Sequence, residues 1–251
     1  MTEENLQLLI DLHKSNERQG PGGTEETLKA LQLTGLDLTR PLKIADIGCG
    51  SGAQTLTLAK HTKGSITAVD LMPEFLDKLN QRAERAGLSA RIHTQQEPMD
   101  DLTLAEASLD LLWSEGAIYI MGFESGIRYW RRFLKPGGVL AVSEISWITE
   151  ERPKEIEHFW LNAYPEMNTI SHKIEQLTSN GYELLGHFTL PENCWLDNYY
   201  LPLEKSIQAY LSQHQVEEAA RQFIQEQLEE QALYQNNKAY YSYEFYIARK
   251  V

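Results

Sequence analysis

Three glycines at alternate positions, Gly48, Gly50 and Gly52, separate the apolar run Lys43-Ile-Ala-Asp-Ile47 from a helical stretch carrying Leu56, Leu58 and Ala59. Lacking a Cβ, they let the chain turn sharply from strand to helix and bring main-chain atoms against a ligand. Such turns cradle several kinds of nucleotide, and some are plain structural turns. Asp70 ends the next apolar run, Ser65-Ile-Thr-Ala-Val-Asp70, 18 residues after Gly52. A carboxylate there can accept both hydroxyl hydrogens of a ribose. Together the two features point to a nucleoside-bearing cofactor and leave nicotinamide and flavin dinucleotides open. Asp46 discriminates further, because a carboxylate inside an apolar strand is costly unless it meets donors or a cation. An amino-acid ammonium or the amides of the glycine turn would supply them.

Glu115 follows a fourth apolar run, Leu109-Asp-Leu-Leu-Trp113, and is the first candidate for contacting or deprotonating a substrate. The alternative is a carboxylate bonded to loop amides. Trp147, Trp160, Tyr164, Trp195, Tyr199 and Tyr200 come later in the chain. Aromatic residues so placed either fill a core or wall a site for a flat or cationic substrate. His158 and His172 are isolated, and Cys49 and Cys194 have no close Cys or His partner in sequence, so no metal site is expected.

The elements that must carry these residues alternate. Strands are expected at 43–47, 65–70, 91–94, 109–113 and 138–144, with helices between them. One helix has Pro73 at its first position and Gly87 just past its end. Strands spaced by helices imply right-handed crossovers and a mainly parallel sheet. A helix to about Asn180 and a strand from Tyr182 to Leu190 follow, and then a helix with Val216, Ala220, Phe223, Ile224 and Leu228 on one side. Tyr240-Tyr-Ser-Tyr-Glu-Phe-Tyr-Ile-Ala248 is strongly β-prone and reads as a last, antiparallel strand.

Four motifs now stand in order: Ile44-Ala-Asp-Ile-Gly-Cys-Gly-Ser-Gly52, Asp70, Ser114-Glu-Gly-Ala117, and Leu134-Lys-Pro-Gly-Gly138. Over roughly residues 40 to 146 the chain resembles the class I S-adenosylmethionine-dependent methyltransferases, in their small-molecule branch. The resemblance implies a doubly wound α/β fold, with a seven-stranded, mostly parallel sheet and the last strand inserted antiparallel. It implies that Asp46, Gly48, Gly50 and Gly52, with Cys49 and Ser51 in the same loop, line the amino-acid part of S-adenosylmethionine and that Asp70 holds its ribose. Ser114 is counted among the cofactor contacts. Where many relatives carry an acid for the adenine amine, this chain has Pro98, so Met99 and the Met99 or Asp100 backbone are the expected adenine contacts, with Leu71 and Met72 completing the apolar slot. Arg18-Gln-Gly-Pro-Gly-Gly23 is similar to the lid of that branch, with a plain helix connector as the alternative. Gln19, Gly20, Tyr119, Trp195 and Tyr199 are the expected lid and substrate residues. The implied function is methyl transfer to a small molecule. A nicotinamide-dependent oxidoreductase and a non-catalytic cofactor-binding protein are the rivals.

One domain is expected, with a helical lid over 1–34, a cofactor core over 40–146 and a substrate-covering region with the last strands over 147–251. The formal net charge of −13 disfavours nucleic acid and anionic lipid as partners, and Arg128, Arg131, Arg132 and Lys135 fit a solvated helix face. An acidic amino terminus, two cysteines and no apolar run of the roughly 18 to 20 residues that cross a bilayer make the cytoplasm the expected location.

Overall fold

A computed structural model describes residues 3–213 and 218–251. Two helices, α1 (Glu3–His13) and α2 (Thr24–Leu33), precede the first strand. The core then runs β1 (Pro41–Ile47), α3 (Ala53–His61), β2 (Lys63–Asp70), α4 (Pro73–Arg85), β3 (Ile92–Gln96), β4 (Leu109–Glu115), α5 (Phe123–Trp130) and β5 (Leu134–Trp147). Next come α6 (Lys154–Ala163), α7 (Ile170–Ser179), β6 (Tyr182–Thr189), α8 (Glu192–Trp195), α9 (Leu201–Gln213), α10 (Glu218–Asn237) and β7 (Tyr241–Lys250).

The seven strands form one sheet in the order β3-β2-β1-β4-β5-β7-β6. β1 pairs in parallel with both β2 and β4, and β7 lies antiparallel between β5 and β6. The chain therefore winds outward from β1 to β3, then restarts on the other side with β4. The carboxyl ends of β1 and β4 flank that reversal, the place where open α/β sheets hold ligands. Helices cover both faces, so the central strands are apolar on both sides. Ile44, Leu111, Val139 and Ile247 pack with residues of α1 to α4 on one face. Ala45, Leu112, Leu140 and Tyr246 pack with Ile127, Trp130 and Leu177 on the other.

Local sequence accounts for the elements that aim the site. α4 begins at Pro73, which has no amide hydrogen to lose, and buries Phe75, Leu76, Leu79 and Ala83 at helical spacing. Gly87 follows its end with φ +69°. The expected single helix after Tyr200 is two, and Val216 lies outside the described residues. Phe223 and Ile224 are buried, whereas Leu228 is 37% exposed. The stretch from Trp147 to Pro165 contains α6, which Pro153 and an irregular pattern concealed. The segment after Pro191 is helical throughout, because a single π-helical turn, Leu196–Tyr200, joins α8 to α9.

Candidate functional site

The glycine turn is built around Asp70. Gly50 N–H donates to its Oδ2 at 2.8 Å and Met72 N–H to its Oδ1 at 3.0 Å, so the carboxylate is fixed at the end of β2 beside the turn. Burial raises its pKa against the lowering effect of those bonds. Gly48, Gly50 and Gly52 all have φ between +50° and +85°, a region L side chains rarely adopt. A Cβ on Gly48 would lie 2.4 Å from that of Ala117, so the turn touches the loop after β4. A Cβ on Gly50 would lie 2.2 Å from Gln19 Oε1.

Gln19 belongs to the segment between α1 and α2, and Asn16, Glu17 and Gln19 of that segment are bonded to the turn at Ser51. Ser51 N–H donates to Gln19 Oε1 at 2.7 Å, and Gln19 Nε2 donates to Ser51 Oγ at 3.1 Å. Ser51 Oγ in turn donates to the carbonyls of Asn16 and Glu17 at 3.0 and 2.9 Å, and Arg82 Nη1 reaches the Ser51 carbonyl at 2.9 Å. Asn198 Nδ2 holds the Gly22 carbonyl from the far side at 2.8 Å. His13 closes α1, stacked on Tyr199 at 5.9 Å, and burial lowers its pKa to about 4.

Asp46 and Glu115 point to the same side of the sheet and are both closed in. Asp46 is fully buried and accepts from Thr55 Oγ1 at 2.5 Å, with Gln54 Nε2 at 3.5 Å. Burial raises its pKa to about 7. Its donors are side chains of α3 and not the amides of the glycine turn, one of the two sources expected. Glu115 Oε2 receives Arg18 Nη1 at 2.7 Å, and its Oε1 receives Thr27 Oγ1 at 2.7 Å and Trp113 Nε1 at 2.9 Å. Both members of the ion pair are buried, at 8% and 5% side-chain exposure. The partners of Glu115 are a guanidinium, a hydroxyl and an indole, none of them a loop amide.

Across Gly116 the surroundings change to tyrosine. The Tyr243 hydroxyl lies 3.8 Å from where a Cβ on Gly116 would stand. Trp195 packs on Tyr243 at 5.2 Å and Tyr199 on Tyr200 at 4.9 Å, while Tyr119 meets Tyr164 edge-on at 6.2 Å. Tyr200 OH donates to Glu230 Oε1 at 3.3 Å. Beneath Tyr164, fully buried Glu144 accepts from Tyr164 OH at 2.6 Å and from fully buried Lys173 at 3.0 Å.

The remaining expected residues divide. Leu71, 52% exposed, and Met99, whose Cε comes within 3.8 Å of the Gly48 Cβ position, lie at the open ends of β2 and β3, with exposed Asp100 alongside. Cys49 and Ser114 are sealed in, Ser114 Oγ without a partner among the described residues. Gly20 has no atom within 4 Å of a Cβ position. Trp195 stacks on Tyr234 at 4.2 Å and donates Nε1 to Ser242 Oγ, so it backs the tyrosine wall. Sequence reasoning did not find Arg18 as a partner of Glu115, nor Glu230 and Tyr243. Glu230 had a signal, since it falls on the apolar face of α10 with Phe223 and Tyr234 at spacings of seven and four. Among the described residues no group of three His, Cys, Asp or Glu side chains could hold a metal ion.

Sheet order and the glycine turn after β1 are those of the class I S-adenosylmethionine-dependent methyltransferase fold. Residues 44–138 match the family described as the methyltransferase domain. Among solved structures, an S-adenosylmethionine-dependent methyltransferase from Geobacter sulfurreducens, in complex with S-adenosyl-L-homocysteine, superposes with TM-score 0.85 at 17% identity, covering 98% of each chain. A sterol 24-C-methyltransferase of Neurospora crassa is 25% identical over 70% of this chain and 49% of its own length. The 27-O-demethylrifamycin SV methyltransferase of Amycolatopsis mediterranei is 27% identical over 41% of this chain and 38% of its own. The matches thus span half or less of these curated relatives. S-adenosylmethionine is the cofactor of this class. The residues fit it, because a fixed carboxylate, a Cβ-free turn and an exposed apolar Leu71 lie together at one end of the sheet.

Proposed function

We propose that the protein transfers the methyl group of S-adenosylmethionine to a small-molecule acceptor held against the tyrosines beyond Gly116. One observation carries this reading: the glycine turn and the tyrosine wall meet at Ala117, which touches Gly48 while its neighbour Gly116 faces Tyr243. When bound, the cofactor supplies an electrophilic methyl group on a sulfonium. The protein's own work is to align and to exclude water. Asp70 takes the ribose hydroxyls, the amides of Gly48 to Gly52 border the amino-acid part, and Leu71 with Met99 borders the adenine. Glu115 is a positioning residue: tied to Arg18 and Thr27, it fastens the 14–23 segment to β4. That segment acts as the lid, and Gln19 is its latch on Ser51. The sterol and rifamycin relatives support a small-molecule acceptor. Two cysteines, both free and buried, agree with a reducing cytoplasm. No helix among the described residues is long and apolar enough to cross a membrane.

The test is calorimetry with S-adenosylhomocysteine and with NADH, followed by incubation of metabolite extract with methyl-labelled cofactor. Binding of the first ligand alone, with label entering a small molecule, is expected. NADH binding favours the oxidoreductase, and tight cofactor binding without label transfer favours a sensor. Amide exchange in residues 13–23 slows on adding S-adenosylhomocysteine if the segment is a lid; equal exchange with and without it leaves a connector.

A further inference from the structure

The tyrosine wall leaves polar groups unpaired. The hydroxyls of Tyr119, Tyr199 and Tyr243 make no hydrogen bond among the described residues and are not sealed off. Tyr199 and Tyr243 are themselves more than nine-tenths buried. Buried phenols normally find a partner, so Tyr199 and Tyr243, which lack one, mark a place where a ligand or water completes them, whereas Tyr119 is 43% exposed and reaches solvent. Glu230, half-buried on α10, adds a carboxylate whose Oε1 takes the Tyr200 hydroxyl and whose Oε2 has no donor among the described residues.

The charge of this space has one sign. Burial is the first cause that raises the pKa values of Tyr119, Tyr199, Tyr200 and Tyr243. Glu230 adds to it in all four, Glu144 in Tyr119 and Tyr243, and neighbouring tyrosines in Tyr199, Tyr200 and Tyr243; for Tyr243, Tyr119 comes ahead of both carboxylates. The buried cations nearby are spent elsewhere, Lys173 on Glu144 and Arg18 on Glu115. His13, behind Tyr199, is kept neutral by burial. An anionic acceptor would meet carboxylate and π-faces with no opposing charge. A cation would meet both as attractions.

We infer that the space between Tyr119, Tyr199, Tyr243 and Glu230 is the acceptor subsite and that it takes an amine, bound as its ammonium with the charge on Glu230 and the tyrosine faces. This rests on the methyl-transfer reading and names its substrate class. An ammonium is no nucleophile until it loses a proton, and Glu230 Oε2, which has no donor among the described residues and belongs to a carboxyl whose pKa burial raises, is the atom to receive it.

The experiment uses the full chain saturated with S-adenosylhomocysteine. Choline and N,N-dimethylphenethylamine are titrated beside their neutral isosteres, 3,3-dimethylbutan-1-ol and isopentylbenzene. At least one cation is expected to bind about tenfold tighter than its isostere. Glu230→Gln should erase that preference while the S-adenosylhomocysteine Kd and the Tm stay unchanged, and Tyr243→Phe, which keeps the ring, should reduce it less. The inference is overturned if neither cation outbinds its isostere, or if Glu230→Gln leaves the preference intact. Should S-adenosylhomocysteine itself not bind, the methyl-transfer reading fails, a result distinct from loss of cation preference.

Discussion

The two halves of the site are satisfied to different degrees. Around the glycine turn, Gln19, Ser51, Asp70, Arg18 and Glu115 each meet a partner inside the chain. Around Gly116, Tyr119, Tyr199 and Tyr243 have hydroxyls with none among the described residues. A self-satisfied half has its geometry set before any ligand arrives, which suits a component common to every turnover. A half with open polar groups gains the most from a partner that completes them, which suits the component that varies between relatives.

Removing a member of the satisfied half should therefore cost stability. Arg18→Ala leaves the Glu115 carboxylate buried without its cation and is expected to lower unfolding stability by about 3 kcal/mol in urea melts. Arg18→Ala with Glu115→Gln should recover most of that loss; a double variant as unstable as the single one would mean that packing, and not charge, is what Arg18 provides. Gly50→Val forces a β-branched side chain into left-handed φ and into Gln19. It should weaken S-adenosylhomocysteine binding by about 100-fold while the sheet stays folded, and global unfolding would instead assign the turn a purely structural role.

Asp70→Ala removes the acceptor of the Gly50 amide and, on the proposed reading, that of the ribose hydroxyls, so a loss of about 2 kcal/mol in cofactor affinity is expected by calorimetry. An unchanged Kd in a folded variant would take Asp70 out of the site. The smallest effect concerns pH. The pKa of Asp46 in the folded protein, about 7, lies above its ordinary value of 3.8, so its contribution is fully present below that value and is lost as pH rises to about 7. Asp46→Asn should raise stability at pH 8 by about 1 kcal/mol and flatten the slope between pH 4 and 7 in thermal melts. A stability curve that keeps its slope would show that Asp46 is not the group that titrates.

The same contrast marks what the sequence could reveal. Gly48, Gly50, Gly52 and Asp70 act through backbone geometry and a strand end, features that short-range spacing encodes. The sheet, whose strands alternate with helices up to β5, was legible for the same reason. Glu115 was picked out by position, yet its partners Arg18 and Thr27 lie 97 and 88 residues away, beyond any local pattern. Tyr243 and Glu230 reach the site from β7 and α10 through tertiary packing alone. Their neighbours Tyr199 and Tyr200 depend on a π turn that no simple periodicity announces.

That turn has a consequence for how such proteins diverge. A π turn is an α-helix with one residue too many, and taking one out of 196–200 would let α8 run on into α9 as an ordinary helix. Side chains beyond the deletion would swing by about 100° about the helix axis. A single codon lost or gained could thus re-aim Tyr199 or Tyr200, and it would also disturb Asn198 and Tyr199, which hold the Gly22 carbonyl and His13 of the segment latched to the glycine turn. If these tyrosines hold the acceptor as proposed, the number of residues in this turn bears on acceptor choice as directly as their identity.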